Sequence, residues 1–174
     1  MLPIDRYAYT NRLRDFNPLV KFIFVLGALI FAISINNIYI NLAIFLFMVS
    51  LTVFIAKIPL YSYIRIISIP MIFSIISTVA ILLNISSEDI FILSIKIFNK
   101  YIGITEDSVL ASVYTIGRVL ASIGSTFFLA LTTPLNSIIR VLKKFKLPNS
   151  LIELLVLIYR FIFIFIEEVS EIRT

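Results

Sequence analysis

The chain has 174 residues, of which 60% are hydrophobic and 14% are charged, and its formal net charge is +5. A soluble domain of this length cannot bury so much apolar surface, because its ratio of surface to volume demands more polar side chains. The composition therefore excludes an ordinary soluble domain and indicates a membrane protein.

Residue types that the sequence lacks exclude several kinds of chemistry. Histidine and cysteine are both absent, which removes the usual ligands of late transition metals and the side chains of Ser–His–Asp and Cys–His catalytic sites. No glycine precedes a lysine, so the chain has no phosphate-binding P-loop. We therefore expect no enzymatic activity, no metal site and no cofactor, and we assign any ATP hydrolysis to another chain.

Polar residues dominate the N-terminal segment, residues 1–18, and four apolar stretches follow it at 19–36, 38–56, 69–85 and 108–131. With a rise of about 1.5 Å per residue, each stretch is long enough, or nearly so, to cross a hydrocarbon core about 30 Å thick. We expect Pro59 to end the second stretch, and Pro70 to lie in the first turn of the third, where its missing N–H does no harm. A cleaved signal peptide is disfavoured because a second apolar stretch follows immediately.

Basic residues are distributed unevenly between the two sides that alternating spans would create. One side carries only Lys96 and Lys100, and the other carries ten basic residues. The positive-inside rule then places the N-terminus, the turn at 57–65 and the loop at 132–148 in the cytoplasm. Cytoplasmic loops also explain the net positive charge better than a nucleic-acid partner does, because no basic run is interleaved with aromatic residues.

The outer loop, residues 86–107, alternates polar and apolar residues around Ser94 and Lys96. Alternation with a period of two is typical of a β-strand, and Asn99-Lys100 can form a turn. The sequence therefore predicts a short extracellular hairpin at 90–104.

Arg118 lies within the fourth apolar stretch. Ser122, Ser125 and Thr126 would share a polar helix face with it, and a neighbouring strip of small residues is formed by Gly117, Ala121 and Gly124. Small residues let another helix approach closely. A charge at membrane depth costs about 2.5–3.5 kcal/mol on insertion scales, so Arg118 either faces a partner inside the bundle or extends to the nearest interface.

The last segment, from Ser150, has apolar residues to Ile166 with few interruptions. Ser150 and Glu153 match a capping box, and one polar stripe along the helix contains Glu153, Arg160, Glu167 and Glu171. Such a helix either crosses the membrane with its stripe facing a bundle or lies along the inner surface. The preceding segment, 134–146, is basic and amphipathic, and these patterns leave both arrangements open.

Several motifs together resemble the transmembrane T subunit of energy-coupling factor (ECF) transporters. They are an opening segment from Ile4 to Phe22, an arginine in the span before a Thr-Thr pair, the Thr-Thr-Pro motif itself, a Leu-Pro pair and the run YRFIFIFIEE. The opening segment is most similar to the cobalt branch, the CbiQ family. The resemblance implies that these residues take part in coupling or subunit contacts: Arg118, Thr132, Thr133, Pro134, Pro148, Tyr159, Arg160, Glu167 and Glu168.

The resemblance implies an all-α membrane protein of a prokaryotic plasma membrane. Residues 1–131 would form a membrane domain with four spans, and 132–174 would begin a cytoplasmic coupling domain with amphipathic helices at 134–146 and 149–174. Its expected partners are ABC-type ATPases, a membrane substrate-binding subunit and the lipid bilayer. The substrate would be cobalt, with nickel or a vitamin as alternatives, and we expect the chain to be an N-terminal fragment because family motifs would follow Thr174.

Two other function classes remain as alternatives. A membrane enzyme would use Arg118 with acidic partners, but no carboxylate cluster shares a helix face at membrane depth. A self-contained channel or carrier is disfavoured because the four apolar stretches contain no acidic residue. Co-purification with an ATPase would separate the coupling subunit from both.

Overall fold

The structure, a computed structural model, describes residues 3–86, 93–97, 100–145 and 148–172. The described residues form an all-α membrane protein with a small β-sheet on one loop. Its elements are α1 (Pro3–Thr10), α2 (Pro18–Ser34), α3 (Ile38–Ser50), α4 (Leu60–Leu82), β1 (Asn84–Ser86), β2 (Leu93–Ile97), β3 (Lys100–Ile104), α5 (Glu106–Thr132), α6 (Leu135–Lys144) and α7 (Asn149–Ile172).

Four helical segments in the described part of the chain are long and apolar enough to cross a membrane: Ile38–Ile55, Leu60–Leu82, Glu106–Thr132 and Asn149–Ile166. The apolar helix α2 has 17 residues, which gives it a length of about 26 Å, near the lower limit for a span. Each of the four predicted apolar stretches is therefore helical over most of its length, and α7 also has the length and composition of a span.

The third apolar helix begins much earlier than the sequence suggested. Pro59 precedes its first turn, and α4 runs from Leu60 without interruption. The prediction of a cytoplasmic turn at 57–65 is therefore wrong for its second half, since Arg65 lies within the helix. Pro70 lies in the middle of α4 and not in its first turn, because a membrane helix tolerates one missing backbone hydrogen bond when its neighbours compensate.

The second apolar helix ends where predicted, through a structure that the sequence did not reveal. A π-helical turn, Leu51–Ile55, continues α3. Lys57 then adopts a left-handed conformation with φ of 58°, and the Ile58 amide donates to the Thr52 carbonyl at 3.3 Å. This is the geometry with which many helices satisfy their last carbonyl groups, usually with glycine in the left-handed position.

The central helix is α5, which packs against α1, α2, α3 and α4. Its predicted strip of small residues is confirmed. A Cβ atom at Gly117 would lie 2.7 Å from Ile38 Cδ1, and one at Gly124 would lie 2.8 Å from Phe45 Cδ2. Ala121, between them, is fully buried. The two helices therefore approach so closely that a larger side chain at either glycine would require Ile38 or Phe45 to move.

The predicted hairpin is also confirmed in the part of the loop that is described. β2 and β3 pair antiparallel, and Ile97 lies opposite Lys100. A third strand, β1, pairs with the other edge of β3 and gives the order β1-β3-β2. The sequence did not predict β1, whose three residues are too few for an alternating pattern.

The amphipathic helix predicted at 134–146 is observed as α6. Ile139 and Val141 are buried, whereas Phe145 is 52% exposed. Phe145 nevertheless contacts Phe22 of α2, with 5.9 Å between the ring centroids. α6 therefore rests on α2, and α7 packs in turn on α6.

The predicted capping box at Ser150 and Glu153 is wrong. α7 begins at Asn149, so Ser150 lies inside the first turn and not in front of it. The Pro148 carbonyl accepts hydrogen bonds from the amides of Leu151 and Ile152. A capping box does occur at the start of α5, where Thr105 and Ser108 satisfy each other's backbone amides.

The close contact between α3 and α5 predicts a specific sensitivity to side-chain size. Gly124→Val should lower the free energy of unfolding by roughly 1–3 kcal/mol, because the added methyl groups collide with Phe45. Thermal unfolding in detergent measures the effect. Gly27→Val is the matched control, since a Cβ there has no neighbour within 4 Å. Equal melting temperatures for the two variants would contradict the packing.

Candidate functional site

The Thr-Thr-Pro motif forms the connection between α5 and α6, and all three residues are buried. The Thr132 hydroxyl donates to the Phe128 carbonyl at 2.6 Å, and the Thr133 amide donates to the Leu129 carbonyl at 3.0 Å. The Pro134 carbonyl accepts from the amide of Ser137 at 2.8 Å and begins α6. The motif thus joins two helices without a flexible linker.

A buried lysine holds the end of α5. The Lys21 ammonium is near the start of α2 and donates to the Thr132 carbonyl at 2.8 Å and to the Leu13 carbonyl at 3.0 Å. Lys21 is only 3% exposed, and Asp15 is close enough to attract its charge. A cation is favourable here, since the carboxyl end of a helix carries partial negative charge and unpaired carbonyl groups.

A buried asparagine, Asn11, also donates to a carbonyl at the end of α5, that of Leu131. The Asn11 side-chain amide donates to the Leu131 carbonyl at 3.3 Å and to the Ala8 carbonyl at 2.8 Å. Two further hydrogen bonds hold the N-terminal segment in place. The Tyr7 hydroxyl donates to the Ser62 hydroxyl in α4 at 2.7 Å. The Arg12 amide donates to the Ala56 carbonyl at 3.4 Å.

We call Asn11, Lys21, Thr132, Thr133 and Pro134 the polar junction. It brings together the N-terminal segment, the start of α2, the end of α5 and the start of α6. Because α6 follows directly, movement of α6 would reach α2 and α5 through these contacts. The five residues contribute hydrogen bonds and a covalent connection between these segments.

Arg118 does not belong to the polar junction. It precedes Thr132 by 14 residues, which separates the two by about 21 Å along α5. The side chain is partly buried, and its Nε has no hydrogen-bond partner among the described residues. The predicted polar face around it is divided, since Ser125 is buried and Thr126 is exposed.

The predicted residues of α7 also lie apart from the junction. Pro148, Arg160 and Glu168 are exposed, and the side chain of Glu167 lies outside the described part. Tyr159 is partly buried, and its ring meets that of Phe163 edge to face at 4.6 Å between centroids.

Sequence reasoning missed the two junction residues that bond over long distances. From the sequence, Lys21 was identified only as one of the ten basic residues of one membrane side, and Asn11 only as part of the polar segment 1–18. One signal was available: a single lysine four residues into an apolar helix has little water around it and needs acceptors nearby. The identity of those acceptors is set by the fold, because Thr132 is 111 residues away.

Comparison with known families decides the class of the protein. The family model for CbiQ, described as a cobalt transport protein, matches residues 10–174. The chain belongs to the CbiQ family. All five junction residues lie within the matched region, and the protein is therefore a multi-pass membrane protein of a transport family.

Individual relatives agree with the family match. The chain is 31% identical to an uncharacterized protein of Methanocaldococcus jannaschii over 98% of its own length and 63% of the relative. It is 32% identical to a protein of Methanocorpusculum labreanum that is named as a fused cobalt transport protein, CbiMQ, over 98% of the chain and 28% of the relative. The cobalt transport protein CbiQ of Salmonella typhimurium is 29% identical over 99% of the chain and 77% of the relative.

The junction predicts that Lys21 is a structural cation. Lys21→Met replaces the lysine with an unbranched apolar side chain that is one atom shorter, and it leaves the carbonyls of Leu13 and Thr132 without the Lys21 donor. We expect the free energy of unfolding to fall by about 1–3 kcal/mol, measured by thermal unfolding in detergent. Lys143→Met is the control, since Lys143 is exposed on α6. If both variants melt like the unmodified protein, Lys21 does not hold the end of α5.

Proposed function

We propose that this chain is the transmembrane coupling subunit of an ECF-type importer for cobalt. Membership of the CbiQ family supports the transport role. The polar junction supports the coupling role, because its hydrogen bonds join the end of α5, from which α6 continues through Thr133 and Pro134, to the N-terminal segment and to α2. ATP hydrolysis and cobalt binding would belong to partner chains, in agreement with a sequence that has no histidine, cysteine or P-loop.

The coupling would begin at α6 and α7. ATPases would bind these helices at the cytoplasmic face, the side to which the ten basic residues assign α6. A displacement of α6 would pass through Pro134 to α5 and through Lys21 to α2. Those helices would then shift against a membrane subunit that holds the metal. The relative named CbiMQ is a fused protein, which supports a partner close enough to be joined in one polypeptide.

A test of coupling compares two insertions of Gly-Gly in the assembled transporter. One insertion lies between Thr133 and Pro134 and adds about 7 Å of flexible chain to the junction. The other lies between Ile35 and Asn36, at the opposite end of α2. Cells carrying the transporter are compared at equal membrane levels of the complex, with uptake of radioactive cobalt and ATP hydrolysis both measured.

We expect the junction insertion to reduce cobalt uptake at least tenfold while ATP hydrolysis continues, because force no longer reaches the bundle. The control insertion should retain most of the uptake. Cobalt import by this chain without ATPases would identify a carrier and refute the proposal. Normal uptake with the junction insertion would refute the proposed path of coupling.

We also propose that α7 lies along the inner membrane surface, with Glu153 and Arg160 on its exposed polar stripe. Single cysteines can test this, since the chain has none. An impermeant thiol reagent applied outside intact cells should leave Asn149→Cys and Glu168→Cys unlabelled and should label Asp107→Cys, a control at the start of α5. Both α7 positions should react in inverted vesicles. Labelling of Glu168→Cys from outside would show that α7 crosses the membrane.

A further inference from the structure

A basic cavity lies beside the polar junction, between the segment that leads into α2 and the exposed side of α6. Its volume is about 650 Å³, and its charged lining residues are Arg14, Asp15, Arg140 and Lys144. Three cations thus face one carboxylate, and Asp15 also interacts with Lys21. The cavity therefore carries a net positive charge and suits an anion.

Hydrogen bonds hold two of the basic side chains at the cavity wall. The Arg14 guanidinium donates to the Tyr9 carbonyl at 3.2 Å and lies 6.0 Å from the centroid of the Tyr9 ring. The Arg140 guanidinium donates to the Ser137 hydroxyl at 2.9 Å. Guanidinium groups that are already oriented lose less freedom on binding an anion such as a phosphate, whose oxygens match their geometry.

An apolar groove between α2 and α3 lies next to this cavity, and Lys21 is among the residues that line its first part. Phe16 lines the basic cavity and also the first part of the groove, which has a volume of about 260 Å³. Phe24 and Phe47 line both the first part and a second part of about 410 Å³. Gly27 borders the second part, and a Cβ atom placed on it has no neighbour within 4 Å.

We propose that the basic cavity and the apolar groove together bind one anionic phospholipid. The phosphate of its headgroup would lie among Arg14, Arg140 and Lys144, and one hydrocarbon chain would follow α2. From Pro18 to Gly27 the helix rises about 14 Å, which matches the thickness of one leaflet, about half of a 30 Å core. A free phosphate would leave the groove unused, whereas a phospholipid carries the anion and the chain in one molecule.

The site also agrees with the proposed orientation. α6 would lie at the cytoplasmic face, and anionic lipids are concentrated in the cytoplasmic leaflet, where basic pockets bind their headgroups. A lipid bound there would contact α6 and α2 at the same time. It would therefore fill the space beside the polar junction without replacing any of the junction's own hydrogen bonds.

The test measures lipid binding by the full chain, purified and delipidated in detergent. Native mass spectrometry records bound dioleoyl-phosphatidylglycerol, with dioleoyl-phosphatidylcholine and inorganic phosphate as comparison ligands. We expect phosphatidylglycerol to bind at least tenfold more tightly than either. Arg140→Gln with Lys144→Gln should weaken this binding about 25-fold, since each basic side chain at a membrane surface contributes about fivefold.

Matched variants keep the charge test specific. Lys143→Gln removes an exposed positive charge from the same helix but not from the cavity wall, and it should bind phosphatidylglycerol like the unmodified chain. The single variants Arg140→Gln and Lys144→Gln should each show about a fivefold loss, so the test survives if the double variant folds poorly. Equal binding of phosphatidylglycerol and phosphatidylcholine, or an equal loss in Lys143→Gln, would overturn the proposal.

The groove is tested separately at Gly27. Gly27→Phe should fill the open space and reduce phosphatidylglycerol binding at least tenfold, whereas Gly27→Ala, which adds one methyl group, should have little effect. Unchanged binding by Gly27→Phe would overturn the placement of the hydrocarbon chain. Binding of inorganic phosphate as tight as that of the lipid would show an anion site without a lipid.

Discussion

The central helix α5 ends inside the protein, and its last carbonyl groups must find donors there. In water these groups would be solvated, but a helix end enclosed by other segments has only protein donors available. Lys21 and Asn11 supply those donors to the last two carbonyls of α5. Burying the ammonium is unfavourable in itself, and the two carbonyl bonds, the nearby Asp15 and the negative end of the helix offset that cost.

The need to provide hydrogen-bond donors for the last carbonyl groups of α5 determines how the neighbouring segments are arranged. The donors come from the N-terminal segment and from α2, so both must lie against the end of α5. The rest of α5 is stabilised by close packing, because Gly117 and Gly124 allow α3 to approach it. The bundle is thus held by two unlike interactions along one helix: van der Waals contact over its length and charge-assisted hydrogen bonds at its carboxyl end.

The elements predicted correctly from sequence are those whose signals are local. Apolar stretches, the alternation in the hairpin and the spacing of small residues can each be recognised within a few turns of chain. The start of α4 was misplaced because Ser62 and Arg65 look like turn residues, whereas Ser62 bonds to Tyr7 of α1. The candidate site was predicted only at Thr132–Pro134, since the partners of these residues are more than 100 positions away in the chain.

The described chain covers little of the surface of α7. Ile152 is buried, but Leu154, Ile158, Phe161 and Phe165 are all exposed by 45% or more. A helix with apolar side chains on several sides is stable only in lipid or against another protein surface. α6, in contrast, packs on α2, and its Ile139 and Val141 are buried. The part of the C-terminal segment nearest the junction is therefore packed on the bundle, and the part beyond it presents its apolar surface to a partner or to the membrane.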